Sequence, residues 1–261
     1  MTRALYTAAT GLSAQQFNTD VIANNLANVN TTGFKRVRAH FQDLLYQTIH
    51  LAGTPSSVGT QVPSGVQVGH GAKVISTERL FSQGSFRQTE NQFHLAIEGA
   101  GFFKIILPDG SEAYTRDGSF ERDSQGQIVT HSGFLLDPQI TIDPEAINIE
   151  INQEGVVTEQ LPDGTLNQLG QIQLTNFINP SGLQALGSNI FRETAASGAP
   201  LTGNPGQNGT GQLRQGFIEI SNVNVAEELI DLIVAQRAYE VNSRSIQTQD
   251  SMLQTATNLK R

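Results

Sequence analysis

Five histidines, His40, His50, His70, His94 and His131, are the side chains best suited to bind a metal or move a proton near neutral pH, and they stand singly along the chain. None has a partner at metal-ligand spacing. The sequence contains no cysteine, so it offers no thiolate nucleophile, no disulfide and no cysteine-based metal centre. The stretch GVQVGHGAK from Gly65 to Lys73 has the glycines of a phosphate loop but lacks the adjacent Gly-Lys and the following Ser or Thr, and no helical pattern comes after it. Gly99-Ala100-Gly101 lacks the third glycine of a dinucleotide loop and suits a tight turn between strands. Carboxylates are plentiful, Asp109, Glu112, Asp117, Glu121 and Asp123 among them, and glycoside hydrolysis would need two of them to converge in space. Their setting among turn residues reads instead as solvated surface. No reaction, metal or cofactor is implied, and the question becomes what the chain builds.

The most regular element lies at the C-terminal end. From Val225 to Arg261 there is no glycine or proline; Val225, Leu232, Tyr239, Ile246 and Leu253 recur at every seventh position, with Leu229, Gln236, Ser243 and Asp250 as a second column. That alternation of four and three is the spacing of a coiled-coil seam and predicts a helix on the order of 50 Å long. Asn224 stands where an N-cap belongs, Glu227 and Glu228 suit the positive end of the helix, and Lys260 and Arg261 suit the other. A seam two residues wide is too narrow to pack on a domain's own core and calls for a helical partner. The opposite terminus offers one. Leu5, Leu12 and Leu26 share a heptad column with Thr19, and Ala8, Ile22 and Val29 form the other, although Gly11 costs about 1 kcal/mol in a helix interior. Two marginal helices pair because neither buries its stripe alone.

Between them the chain changes character. Residues 51–71 are rich in Gly, Ser, Thr, Val and Pro, with no helical period, and read as either an extended segment that orders on contact or a flexible linker. From about Thr77 to Gly216, short alternating runs (Phe93, Leu95 and Ile97; Ile147, Ile149 and Ile151; Ile172 and Leu174) are separated by turn signals such as Pro108-Asp109-Gly110, Asp117-Gly118, Gln125-Gly126 and Pro162-Asp163-Gly164. The expected fold class is α+β, with long terminal helices pairing as a coiled coil around an antiparallel all-β domain. The expected divisions are an N-terminal helix over 1–35, an extended connecting segment over 36–80, the β domain over 81–216 and a C-terminal helix over 217–261. A net charge of −8 with no basic block argues against nucleic acid or an anionic membrane as partner, and no stretch reads as a membrane span or as a signal peptide of the usual kind.

Particular strings add what composition does not. Asn24-Asn25-Leu26-Ala27-Asn28-Val29-Asn30-Thr31-Thr32-Gly33-Phe34-Lys35 resembles the N-terminal signature of the bacterial flagellar rod and hook family. Ser221 to Leu229 (SNVNVAEEL) and Gln236-Arg237-Ala238-Tyr239-Glu240 resemble its C-terminal one. Gly99 to Phe103, Tyr114 to Phe120 and Gly198-Ala199-Pro200 are similar to the same family's β domain. Within the signature, Asn28 and Asn30 are expected to end the first helix in left-handed backbone, Gly33 to permit a turn and Phe34 to anchor the chain. The segment from Phe41 to Ile49, through Pro63-Ser64-Gly65 to Thr77-Glu78-Arg79-Leu80, resembles the distal part of the rod. The resemblance implies a homopolymer exported through the flagellar type III apparatus without a cleaved signal peptide. Its neighbours would be proximal rod and hook proteins and the surrounding L- and P-ring proteins. Its place would be the basal body, spanning the periplasm, and its work torque transmission by a straight hollow shaft. In that setting the segment carrying Val58, Val62, Pro63, Val66 and Val68 would pack between subunits and stiffen the shaft. A proximal rod or hook subunit is the nearer alternative, and a secreted β-rich enzyme the more distant one.

Overall fold

The computed structural model describes residues 2–53, 55–57, 60–61 and 63–258. Helix α1 spans Thr2–Ala27 and helix α2 spans Val225–Asn258. An antiparallel β body lies between them in sequence. Two compact units divide the chain: residues 1–26, 37–78 and 224–261 form one, and residues 27–36 and 79–223 the other. Residues 27–35, expected to belong with the first helix, and residue 36, expected to open the connecting segment, cluster with the β body.

In the first unit α2 starts as its sequence demands. Asn224 Oδ1 accepts the Ala226 amide at 3.1 Å and its carbonyl accepts Glu228 N at 3.0 Å, so the side chain occupies one of the orphan donors of the first turn. Lys260 and Arg261, assigned to the far end, lie outside the described residues. The described residues between 37 and 79, a stretch whose middle reads from sequence as linker or extended chain, fold as a nested ribbon. Strand β1 (Val37–Asp43) pairs with β6 (Ala72–Arg79), β2 (Tyr46–His50) with β5 (Val66–Gly69), and β3 (Pro55–Ser57) with β4 (Thr60–Gln61). The β2–β5 and β3–β4 pairs are antiparallel. The linker reading fails here because Val, Thr and Tyr at alternate positions supply β propensity that the many Gly and Ser residues hide in the composition.

The β body centres on the strand Phe102–Ile106, which pairs with Glu112–Thr115, Leu135–Asp137 and Leu174–Asn176 in a nine-stranded sheet. Adjacent side chains of that strand point to opposite faces. Phe103 packs in the main core with Leu95, Ile97, Phe120 and Leu174, while Phe102 packs with Tyr114, Phe177 and Phe191 in edge-to-face aromatic contacts. A three-stranded sheet of Asn148–Ile151, Val156–Gln160 and Leu166–Gln171 contributes Ile149, Ile151 and Val157 to the main core. Ile147, read as the first of that alternating run, lies before the strand and is exposed, although its amide still bonds the Gln160 carbonyl. The two Pro-Asp-Gly turns share one geometry: Asp109 Oδ1 accepts the Ser111 amide and hydroxyl, Asp163 Oδ1 those of Thr165, and Gly110 and Gly164 take φ of 79° and 81°.

Candidate functional site

In the first unit, the two helices meet through side chains far apart in sequence. Asn25, fully buried, donates from Nδ2 to Glu228 Oε2 at 3.2 Å. The same amide clasps the backbone of Val37, accepting its N–H at 2.9 Å and donating to its carbonyl at 2.8 Å. Gly11 faces Asn242 so closely that a Cβ there would lie 2.9 Å from Asn242 Nδ2. The glycine that weakens α1 as an isolated helix is what admits this approach. Since 14 residues separate the two contacts on each helix and the order reverses, α1 and α2 run antiparallel. A groove of about 400 Å³ opens between these contacts, lined by Gln16, Thr19, Asp20, Gln236, Tyr239 and Glu240.

The seam residues distribute unevenly. Ile22 is buried with Ala8 and Ala14 on α1; Leu5, Leu12 and Leu26 are half-buried, as are Leu232, Ile246 and Leu253 on α2. Val225, Leu229 and Tyr239 are exposed, and the buried line on α2 runs instead through Glu228 and Ala235. That is one residue away from the column containing Leu229, and the Asn25–Glu228 bond lies on this buried line. Exposed beside Leu229 are Ile230, Ile233, Val234 and Val241, an apolar face that the heptad reading did not single out. On the ribbon, Leu45, Tyr46, Ile49, Leu51, Val66, Val68 and Ile75 are exposed, and Pro63 is in a bend. Val58 and Val62 lie outside the described residues.

In the β body, the N-terminal signature ends in a buried charge cluster. Lys35 Nζ donates to Glu219 Oε1 at 2.7 Å and to the Ser82 carbonyl at 2.7 Å, while Arg116 Nε donates to Glu219 Oε2 at 2.7 Å. Lys35 and Glu219 side chains are each 1% exposed, so one anion serves two cations away from water. Burial pushes the Lys35 ammonium below its ordinary value; Glu219 opposes that and Arg116 adds to it. For Glu219, burial alone would raise the carboxyl, but Arg116 and Lys35 together outweigh it and hold it below the ordinary range. The Arg116 guanidinium spends its remaining N–H groups on the carbonyls of Ile97, Gly99 and Gly101 and on Gln83 Oε1. Gly33 takes a φ of 67° and packs on the Arg116–Asp117 peptide, where a Cβ would come within 2.6 Å of Asp117 N. Phe34 is buried under the Arg79 guanidinium, 5.8 Å from its ring centre. Neither Asn28 nor Asn30 takes positive φ. Helix α1 stops at Ala27 in ordinary turns, with Thr31 bonding both the carbonyl and the side chain of Asn28, and left-handed backbone waits until Gly33. Sequence reasoning missed Glu219 altogether. Its signal was an acid between two apolar residues, Ile218 and Ile220, with no turn residue beside it.

The carboxylates weighed for catalysis have structural employment. Asp109, Asp117 and Asp123 accept turn amides, Glu112 pairs with Lys104 at 2.7 Å, and Glu121 lies 3.1 Å from His131. Among the described residues no cluster of three or more His, Cys, Asp or Glu could hold a metal ion, and no helix is long and apolar enough to cross a membrane.

Three family models match the chain in succession: flagella basal body rod protein over residues 5–35, the flagellar hook protein FlgE/F/G D1 domain over 96–159, and the flagellar basal body rod FlgEFG protein C-terminal region over 214–259. The flagellar basal-body rod protein FlgG of Borreliella burgdorferi is 55% identical across the full length of both chains. The FlgG of Buchnera aphidicola from Schizaphis graminum is 53% identical over 99% of this chain and all of its own. That of Bacillus subtilis is 38% identical over the full length of both. Matched from the first helix to the last at these identities, the chain belongs to the family of the flagellar basal-body rod protein FlgG.

Proposed function

We propose that the chain is a structural subunit of the flagellar distal rod, which polymerises into a straight, hollow shaft and carries torque. Full-length identity to rod proteins is the observation that carries this reading, and the exposed apolar face of α2 supports it. A helix that displays Leu229, Ile230, Ile233, Val234 and Val241 to solvent has surface to bury against further copies. In the polymer, α1 and α2 pair as a coiled coil whose seam includes Leu5, Leu12, Ile22 and Leu26 on one side and Leu232, Ile246 and Leu253 on the other. The ribbon, through Val66 and Val68, packs between neighbours and limits their sliding. The shaft's other neighbours are proximal rod and hook proteins and the surrounding L- and P-rings, reached after export through the flagellar type III apparatus. A proximal rod or hook role is disfavoured by the full-length match to FlgG proteins, and the enzyme reading by the structural naming of all these relatives. The test is electron microscopy of the purified chain across a concentration series. Straight tubes above a critical concentration are expected, and curved filaments or none at any concentration would overturn the reading.

A further inference from the structure

The chain passes between its two units four times, after residues 26, 36, 78 and 223. On the side of the β body, three of those passages are tied to one another by a single network, every member of which belongs to the body. Asn222 Oδ1 accepts the Arg36 amide at 2.7 Å, and Asn222 Nδ2 donates to the Leu80 carbonyl at 2.9 Å and to Ser82 Oγ at 2.9 Å. Leu80 N donates to the Arg36 carbonyl at 2.9 Å. Glu219 completes it from below: its carboxylate takes Lys35, Arg116 and the Gly84 amide, the last at 2.7 Å, and its carbonyl takes the Gly33 amide at 2.9 Å. Residues 33–36 continue the stem of α1 and lead into the ribbon, residues 80–84 follow the ribbon, and residues 219–222 lead into α2.

Two buried cations on one carboxylate are a poor way to gain stability, because desolvating three charges costs more than apolar packing of the same volume. What such a group supplies is direction: each bond is met at one angle and one distance. We infer that Glu219 and Asn222 form a clasp that roots the stem of α2 and both arms of the ribbon at fixed points on the body. Load then enters the body through one rigid root instead of several independent linkers. The mechanical consequence rests on the rod reading; the clasp itself does not.

The test is amide hydrogen exchange on the monomeric full-length chain carrying Glu219→Gln, with Lys35→Met as a second variant that keeps the Glu219–Arg116 pair. The informative amides are those of Arg36, which donates to Asn222, and of Leu80, which donates to the Arg36 carbonyl; neither donates to Glu219. In Glu219→Gln both are expected to exchange roughly tenfold faster or more, and by a clearly larger factor than Phe103 and Ile105 in the core. Lys35→Met should give a smaller acceleration at the same two amides. Arg36 and Leu80 unchanged in both variants would reduce the cluster to a local ion pair and overturn the clasp. Core and root amides accelerating together in Lys35→Met would overturn it too, by making the cluster a global stability element. Because exchange is read on the monomer, failure of the wild-type chain to form tubes would count against the rod reading alone.

Discussion

Asn25 and Glu228 stand 203 residues apart in sequence and meet side chain to side chain, each 1% exposed, at 3.2 Å. The amide that reaches Glu228 also holds both backbone groups of Val37, so one side chain ties the end of α1 to the start of α2 and to the first strand of the ribbon. Replacing Asn25 by Ala removes two neutral hydrogen bonds and one to a carboxylate. We expect a loss of about 2–4 kcal/mol from the helical unit. Helical circular dichroism should melt at lower temperature in Asn25→Ala while the β signal is unmoved; coincident, unshifted transitions would contradict this.

The two glycines Gly11 and Gly33 should respond oppositely to alanine. At Gly11 the new Cβ meets the tip of a flexible amide, and alanine gains about 1 kcal/mol of helix propensity, so Gly11→Ala should be neutral or mildly stabilising. At Gly33 the backbone is left-handed and the new Cβ meets the Asp117 peptide, so Gly33→Ala should cost about 2 kcal/mol or more. Denaturant midpoints of the two variants decide the matter.

Acid sensitivity follows from Glu219. Its carboxyl titrates lower in the folded chain than in the unfolded one, so the unfolded state binds more protons in that window and stability rises with pH there. The contribution is fully present above the ordinary carboxylate pKa and is lost as pH falls through the lowered folded value. Glu219→Gln should be less stable at pH 7 and show a flatter stability profile below pH 5; equal slopes in the two proteins would refute the assignment.

The seam makes a prediction at the level of assembly. Leu232→Glu or Ile246→Glu adds an unpaired charge and removes an aliphatic contact worth about 2–5 kcal/mol in every subunit. Assembly should fail while near-ultraviolet dichroism of the body, dominated by its packed aromatics, stays native. A variant that still formed complete rods would show the seam to lie elsewhere on the helix.

The ribbon is tested by deleting residues 51–71. The shortened subunit should still polymerise, but into curved or length-uncontrolled structures visible by electron microscopy. Straight rods of ordinary length would return this segment to the role of a spacer.

Both helices and the existence of an antiparallel body were legible because they rest on local signals: heptad recurrence, an Asn cap, and Pro-Asp-Gly turns whose Asp and Gly each have one geometric task. The identity of the buried acids was not legible. Glu228 reads as a dipole charge beside Glu227, and its burial against Asn25 is visible only in the fold. Glu219 and Arg116 are alike in this respect, since a charge at the end of a strand gives no hint of its partner until long-range pairing is known. The ribbon escaped for a different reason. Its strands are short and pair outermost with outermost, so no short window holds both members of the β1–β6 or the β2–β5 pair.

That nesting also governs how the chain tolerates change in length. Because β1 pairs with β6, β2 with β5 and β3 with β4, residues added or removed in matched numbers around the tip alter the reach of the ribbon without disturbing the pairing nearer its base, where Leu44 N meets the Gly71 carbonyl at 2.8 Å. Unmatched changes of a single residue would flip every side chain beyond them to the opposite face. Viable variants of the ribbon should therefore differ in length by steps shared between its two arms, giving selection a graded dial for reach that leaves the foundations of the subunit untouched.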